Sequence, residues 1–190
     1  MDEGDRHFRR EDAVFQTLRK IARRLDELGV AYAVVGAMAL DAHGFRRLTV
    51  DVDLLVTRES LRLIHDRLEG LGYLPPFEGS KQLRDTEHGV KVEFLVTGEY
   101  PGDGKPKPVA FPDPAAVSVT IEGINYLSLP WLITLKIASG MTNPGRLSDL
   151  GDVQKVIRVL GLSPEYAANL EPYVRDKYAE LWASVHENPE

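Results

Sequence analysis

The chain has 190 residues, 43% of them hydrophobic and 27% charged, with a net charge of −6 and no cysteine. Such a composition is globular and long enough for one good core with a small helical unit appended, and the missing thiols exclude disulfide frameworks, thiolate zinc centres and cysteine nucleophiles. The acidic balance argues against indiscriminate binding to nucleic-acid phosphates or anionic membranes, while leaving room for a small anionic ligand carried with metal ions. No apolar run approaches the roughly 18 residues of a spanning helix. "MDEGDRHFRR" is charged where a signal peptide needs an apolar centre, so a cytoplasmic protein without a membrane partner is expected. The basic clusters "HFRR", "RKIARR" and "GFRR" read as solvated faces before they read as RNA-binding patches.

In chain order, "EDAVFQTLRKIARRLDELG" places Phe15, Leu18, Ile21, Leu25 and Leu28 at helical spacing and stops on Gly29. "VAYAVVG" is a short β-branched run of strand length that ends at Gly36, and "AMALDAHG" suits a brief helix stopping at Gly44. In "LTVDVDLLVT" the alternation puts Val50, Val52 and Leu54 on one face and Asp51 and Asp53 on the other. "RESLRLIHDRLEGLG" reads as a helix burying Leu61, Ile64, Leu68 and Leu71. "KQLRDTEHGVKVEFLVT" reads as two strands meeting near His88 and Gly89, with Val90, Val92, Phe94 and Val96 inward and Lys91, Glu93 and Leu95 outward. "EYPGDGKPKPVAFPDP" is expected to be a mobile surface loop, and "AVSVTIEGINYLSL" a hairpin around Glu122 and Gly123.

From Ser128 the signals become helical, in "SLPWLITLKIAS", "RLSDLGDVQKVIRVLG" and "EPYVRDKYAELWASV". The expected architecture is α+β, a mixed sheet of four to six strands flanked by helices over residues 1–127, followed by a C-terminal helical section over 128–190.

The paired aspartates carry the chemistry. Ionised carboxylates side by side are costly to desolvate unless a cation compensates them. At i and i+2 on one strand face, Asp51 and Asp53 can share one or two hard cations through oxygen ligands, and Glu93 on a neighbouring strand is the natural third. Upstream, Gly36 closes a strand and opens a helix, where backbone N–H groups can approach a phosphate without a Cβ in the way. A glycine turn for a triphosphate and a carboxylate cluster for magnesium are the equipment for in-line attack on a nucleotide phosphorus.

These residues resemble the signature of the DNA polymerase β-like nucleotidyltransferase superfamily, in which an apolar residue, Gly, and Gly or Ser precede an Asp-x-Asp or Asp-x-Glu. Here they are Val35, Gly36, Ala37, Asp51, Val52, Asp53 and Leu54. The stretch is most similar to the AbiEii-like and minimal nucleotidyltransferases, several of which are toxins of type IV toxin–antitoxin systems. Their pattern corresponds to Gly36, Ala39, Leu40, Gly44, Arg47, Thr49, Asp51 and Asp53. Lys136 in "LITLKIAS" and Asp152 or Asp149 in "RLSDLGDV" resemble the Lys and Asp those relatives carry in following helices.

The resemblance implies a nucleotidyltransferase-type fold and a metal-dependent transfer of a nucleoside monophosphate from an NTP to an RNA end or a protein hydroxyl. Asp51, Asp53 and Glu93 would hold Mg2+ or Mn2+; Lys136 and Asp152 would act beside them; Gly36, Ala37, Arg46, Arg47 and Thr49 would contact the nucleotide. An antitoxin protein is the implied partner. Ala37 stands where the signature has Gly or Ser and offers no hydroxyl to a phosphate, which keeps open a second reading, a non-catalytic nucleotide-binding or regulatory module of the same fold.

Plainer readings stand beside these. Asp-x-Asp also occurs in metal-dependent glycosyltransferases and aspartyl phosphatases, Glu93 could be an exposed strand residue, Lys136 could snorkel from an apolar helix, and Asp149 and Asp152 could be first-turn helix charges. His43, His65 and His88 lack ligand spacing and read as structural or surface residues, and Trp131 and Trp182 as packing residues.

Overall fold

The computed structural model describes residues 3–187, and side chains from residue 12 to 187. The N-terminal "HFRR" run therefore lies outside the described side chains. Helix α1 (Glu3–Glu27) buries Val14, Leu18, Ile21, Ala22 and Leu25. Phe15, expected inward, is 41% exposed, because the buried stripe runs through Val14 instead.

Strand β1 (Ala33–Val35) is wholly buried and runs directly into α2 (Gly36–Ala42). Strand β2 (Asp51–Val56) follows, then α3 (Arg58–Leu68), capped by the Thr57 hydroxyl, which accepts from the Ser60 N–H. Leu71, expected to be buried, and Val50, expected on the same face as Val52 and Leu54, are both exposed. The ladder begins at Asp51 and α3 ends at Leu68, so each residue falls just outside the element that would have covered it.

Strands β3 (Tyr73–Leu74), β4 (Gln82–Asp85) and β5 (Lys91–Val96) come next. The one-turn helix α4 (Pro114–Val117) then leads into the hairpin β6 (Ser118–Ile121) and β7 (Ile124–Leu127). The hairpin turns at the expected Glu122 and Gly123, both with positive φ, as a tight primed turn requires. The sheet has seven strands in the order β3-β4-β5-β2-β1-β7-β6, one more than the upper expectation. The two-residue β3 is too short to leave an alternation signal.

Two parallel pairings, β2 with β5 and β1 with β7, sit among antiparallel ones, so the sheet is mixed, as expected. Parallel neighbours need crossovers. Between β2 and β5 that crossover carries α3, whose Ile64 and Leu68 are buried.

Helices α5 (Leu129–Thr142), α6 (Leu147–Leu160) and α7 (Pro172–Glu187) form the C-terminal section, and the expected boundary near residue 127 falls between β7 and α5. Ser128 occupies the N-cap position of α5 without a side-chain capping bond. Helix α5 is buried nearly all round. Gly140 lets α6 approach it, since a Cβ there would meet the Leu150 side chain at 2.5 Å. One buried apolar cluster extends from Val14 to Val185 and so joins sheet and C-terminal helices.

The proline- and glycine-rich segment after β5 is a loop, as expected, but part of it is anchored. Pro101 and Val109 are buried, Lys107 donates to the Pro101 carbonyl, and Asn143 donates to the Gly102 carbonyl at 3.1 Å.

Candidate active site

The register of two parallel strands assembles the centre. Across β2 and β5, Asp51 lies beside Lys91 and Asp53 beside Glu93, so alternation turns all four side chains to one face. On the other side of β2, Val35 pairs with Asp53, which brings Gly36 against that carboxylate. Gly36 has φ +66°, and a Cβ at this position would collide with the Asp53 carboxylate. Glycine is therefore required twice, by conformation and by space.

The three carboxylates are unequally supplied with partners. Lys91 Nζ bridges Asp51 and Glu93, 3.0 Å from an oxygen of each. These hydrogen bonds, the one to Asp51 foremost, raise the Lys91 pKa. Asp53 accepts no hydrogen bond among the described residues. Burial, and then the charges of Glu93 and Asp51, push its carboxyl up to about 6.

The donors are all oxygen, carry surplus negative charge and include a half-buried carboxylate lacking a donor, which is the chemistry a hard divalent cation takes; with Lys91 between Asp51 and Glu93, the three do not bring their ligand atoms within 4.8 Å of one another. Asp51, Asp53 and Glu93 are the residues that would hold it.

These side chains open into a cleft of about 410 Å³, whose other walls include Lys136, Asp149 and Arg146 from the C-terminal helices and Phe111 from the anchored loop. Lys136 reaches Asp149 at 2.9 Å and Asp152 at 2.8 Å, and Ser139 donates to Asp149 at 2.9 Å. Burial lowers the Lys136 pKa, against the opposing pull of Asp149. Arg47 pairs with the same Asp152 oxygen that Lys136 reaches.

Lys136, Asp149 and Asp152 are thus one network, tied by Arg47 to the segment before β2. Sequence reasoning named Arg47 and Asp152 separately; nothing in their spacing of more than a hundred residues marks them as a pair.

Arg46, Arg47 and Thr49 line an adjoining cleft of about 350 Å³ with Met38 and Asp41, and are absent from the lining of the carboxylate cleft. The Thr49 hydroxyl donates to the Asp51 carbonyl at 3.1 Å, holding the entry to β2. Ala37 sits half-buried in the first turn of α2. Sequence reasoning passed over Lys91, noting only its outward direction. Its i, i+2 spacing with Glu93 was a visible signal, but the cross-strand neighbour Asp51 was not.

A second acidic group lies elsewhere. Asp85, Glu87 and His88 can bring ligand atoms within 4.8 Å of one another. That group already has its cation, because Lys20 on α1 sits 2.6 Å from Asp85 and 2.9 Å from Glu87. His88 contacts Asp85 at 2.7 Å, and His43 contacts the Leu127 carbonyl at 2.8 Å. His65 pairs with Glu69. Trp182 donates to the Leu162 carbonyl at 2.9 Å, and Trp131 packs on the main cluster.

No protein-family model matches the chain, and no curated protein matches it. Solved structures do. The antibiotic-resistance factor ANT(2'')-Ia in its solution structure is 18% identical, with a TM-score of 0.54 over 90% of this chain and 95% of that one. An antigenic nucleotidyltransferase-like protein from Paracoccidioides brasiliensis is 18% identical, with a TM-score of 0.51 over 92% of this chain and 93% of that one. JHP933 from Helicobacter pylori is 15% identical, with a TM-score of 0.50 over 97% of this chain and 81% of that one. At such identities the likeness establishes the fold, a nucleotidyltransferase-type mixed sheet with flanking helices.

Proposed function

We propose that the chain is a metal-dependent nucleotidyltransferase that moves a nucleoside monophosphate from an NTP to an acceptor hydroxyl and releases pyrophosphate. The observation that carries this reading is the placement of Asp53 between Gly36 and Glu93, next to Asp51, at the floor of a cleft. A fold with nucleotidyltransferase-like neighbours supports it.

Asp51, Asp53 and Glu93 hold magnesium or manganese. The bound ion supplies Lewis acidity at the α-phosphate and charge neutralisation for the leaving pyrophosphate. Gly36 and Ala37 present backbone N–H groups to the triphosphate. Lys136 places its ammonium towards the transferring phosphoryl group, and Asp149 and Asp152 hold it there; Arg47 is a positioning residue that acts through Asp152. Arg46 and Thr49 border the same approach from the adjoining cleft.

The acceptor is an RNA end or a protein hydroxyl, and the enzyme is of the AbiEii-like toxin type, working in the cytoplasm with an antitoxin partner. What supports a single docked acceptor over processive synthesis is the charge: the chain is acidic at −6, and of the cations lining the cleft, Lys91, Lys136 and Arg146, the two lysines are already paired with carboxylates.

The test incubates purified protein and magnesium with each α-labelled NTP and, separately, total RNA or cell lysate. One structure of ANT(2'')-Ia holds adenylyl-2''-tobramycin, so tobramycin serves as a third acceptor. Label moving as one or a few nucleotides onto RNA or protein supports the proposal. Long products would overturn limited transfer, and label on tobramycin alone would overturn the macromolecular acceptor.

The non-catalytic module keeps one specific observation in its favour, Ala37 at a position where a hydroxyl would serve a phosphate. NTP binding without transfer to any acceptor would select it.

A further inference from the structure

Lys91 is the one cation ion-paired to the proposed metal ligands among the described residues. We propose that it is a resident counter-charge, competing with the divalent ion for Asp51 and Glu93 and thereby keeping the nucleotide-free site weak for metal. The inference rests on the reading of Asp51, Asp53 and Glu93 as metal ligands.

Register and charge carry it. Asp51 faces Lys91 directly across the parallel ladder, and Lys91 precedes Glu93 by two residues on the same strand face, so the backbone itself delivers the ammonium between those two carboxylates. The pairing is symmetric, 3.0 Å to each. Asp53, deeper in the site, is left out of it.

Lys136, the other nearby ammonium, is held by Asp149 and Asp152 and is not drawn off to replace Lys91. With Lys91 in place the three carboxylates present two net negative charges instead of three, so the resident ammonium weakens the attraction that draws a divalent ion in. A divalent ion that takes all three carboxylates must first lift Lys91 from two of them. Its flexible four-carbon stem allows that movement, and the phosphate oxygens of a nucleotide in the same cleft become its new partners. Metal alone meets a competitor; metal with nucleotide gives that competitor somewhere to go.

The opposing behaviour of two affinities is the signature. Manganese is titrated into nucleotide-free protein, and the free ion is followed by its electron paramagnetic resonance signal, for wild type, Lys91→Met, Lys91→Gln and Lys91→Arg. Melting temperatures verify folding, and Lys91→Gln serves if the methionine variant does not fold.

The expected result is manganese binding at least tenfold tighter in Lys91→Met and Lys91→Gln than in wild type, with Lys91→Arg close to wild type. At saturating manganese, a non-hydrolysable NTP analogue should bind severalfold more weakly to the uncharged variants. Equal or weaker manganese binding in the uncharged variants would overturn the competition while leaving the metal site standing. Absence of saturable manganese binding in wild type and variants alike would overturn the metal site itself.

Discussion

Two groups of acidic side chains line this sheet, and they differ in how their charge is met. Asp85, at the end of β4, is fully buried and surrounded: it accepts from Thr17 at 2.8 Å, from Lys20 at 2.6 Å and from the Glu87 N–H at 3.1 Å, and His88 lies 2.7 Å away. Burial alone would raise its pKa, but the bonds from Lys20, His88 and Thr17 outweigh burial and hold it down at about 2. Asp53 has burial without those donors and stands at about 6. The same residue type therefore does opposite work. Asp85 fastens α1 to the β4–β5 hairpin, whereas Asp53 keeps an unmet demand for positive charge, which is what a cation-binding site needs.

The sharpest way to separate the two is to remove each charge. Asp53→Asn should cut nucleotide transfer by about a thousandfold, equivalent to about 4 kcal/mol of transition-state stabilisation, while the melting temperature stays level or rises, because a repelled carboxylate has gone. Transfer rates measured with the labelled NTP, alongside a melt, check both halves. A large fall in melting temperature would make Asp53 a structural residue like Asp85.

Asp85→Ala should do the reverse. Breaking one side of a buried ion pair costs about 3 kcal/mol, read by urea denaturation, and leaves transfer by the folded fraction near wild type. Gly36→Ala is expected to cost about 1–2 kcal/mol from the left-handed backbone alone, and to lower transfer as well, since the new methyl displaces Asp53. Loss of stability with full activity would detach Gly36 from the site.

The pH dependence gives the cleanest contrast. In metal-free buffer Asp53 titrates near 6 in the folded chain against an ordinary 3.8, so folding takes up a proton there and stability should rise as pH falls from about 6 towards 4. Asp85 stands at about 2 against the same 3.8, so its contribution is present above about 4 and lost as pH falls from 4 to 2. Asp53→Asn should flatten the first slope and Asp85→Asn the second, in urea denaturation at a series of pH values.

Legibility in the sequence followed the range of the signal. Period-two alternation exposed Asp51, Asp53 and Glu93 as outward residues on strands, and glycine at a strand end marked Gly36, because those patterns are local. The parallel pairing that sets Asp53 against Glu93 was inferred only as a plausible neighbour, and the register that sets Lys91 against Asp51 was invisible, since it depends on the α3 crossover. Arg47 was read as a nucleotide contact from its position in a motif, and its pairing with Asp152 depends on how the C-terminal helices dock. The Lys20–Asp85 pair spans 65 residues and left no trace in spacing. Element ends misled in the same way: Val50 and Leu71 fit the apolar pattern, but Val50 lies one residue before β2 and Leu71 three residues past α3.

In the proposed function the Asp51, Asp53 and Glu93 face binds a divalent ion that in turn secures the nucleotide. The most direct measurement is the melting temperature with each NTP, in magnesium and in EDTA, for wild type and Asp53→Asn. A ligand at a hundred times its Kd stabilises by about 2.7 kcal/mol, so wild type should gain several degrees with at least one NTP in magnesium and none in EDTA, and Asp53→Asn should lose that gain. An equal gain in EDTA, or an undiminished gain in Asp53→Asn, would contradict the claim.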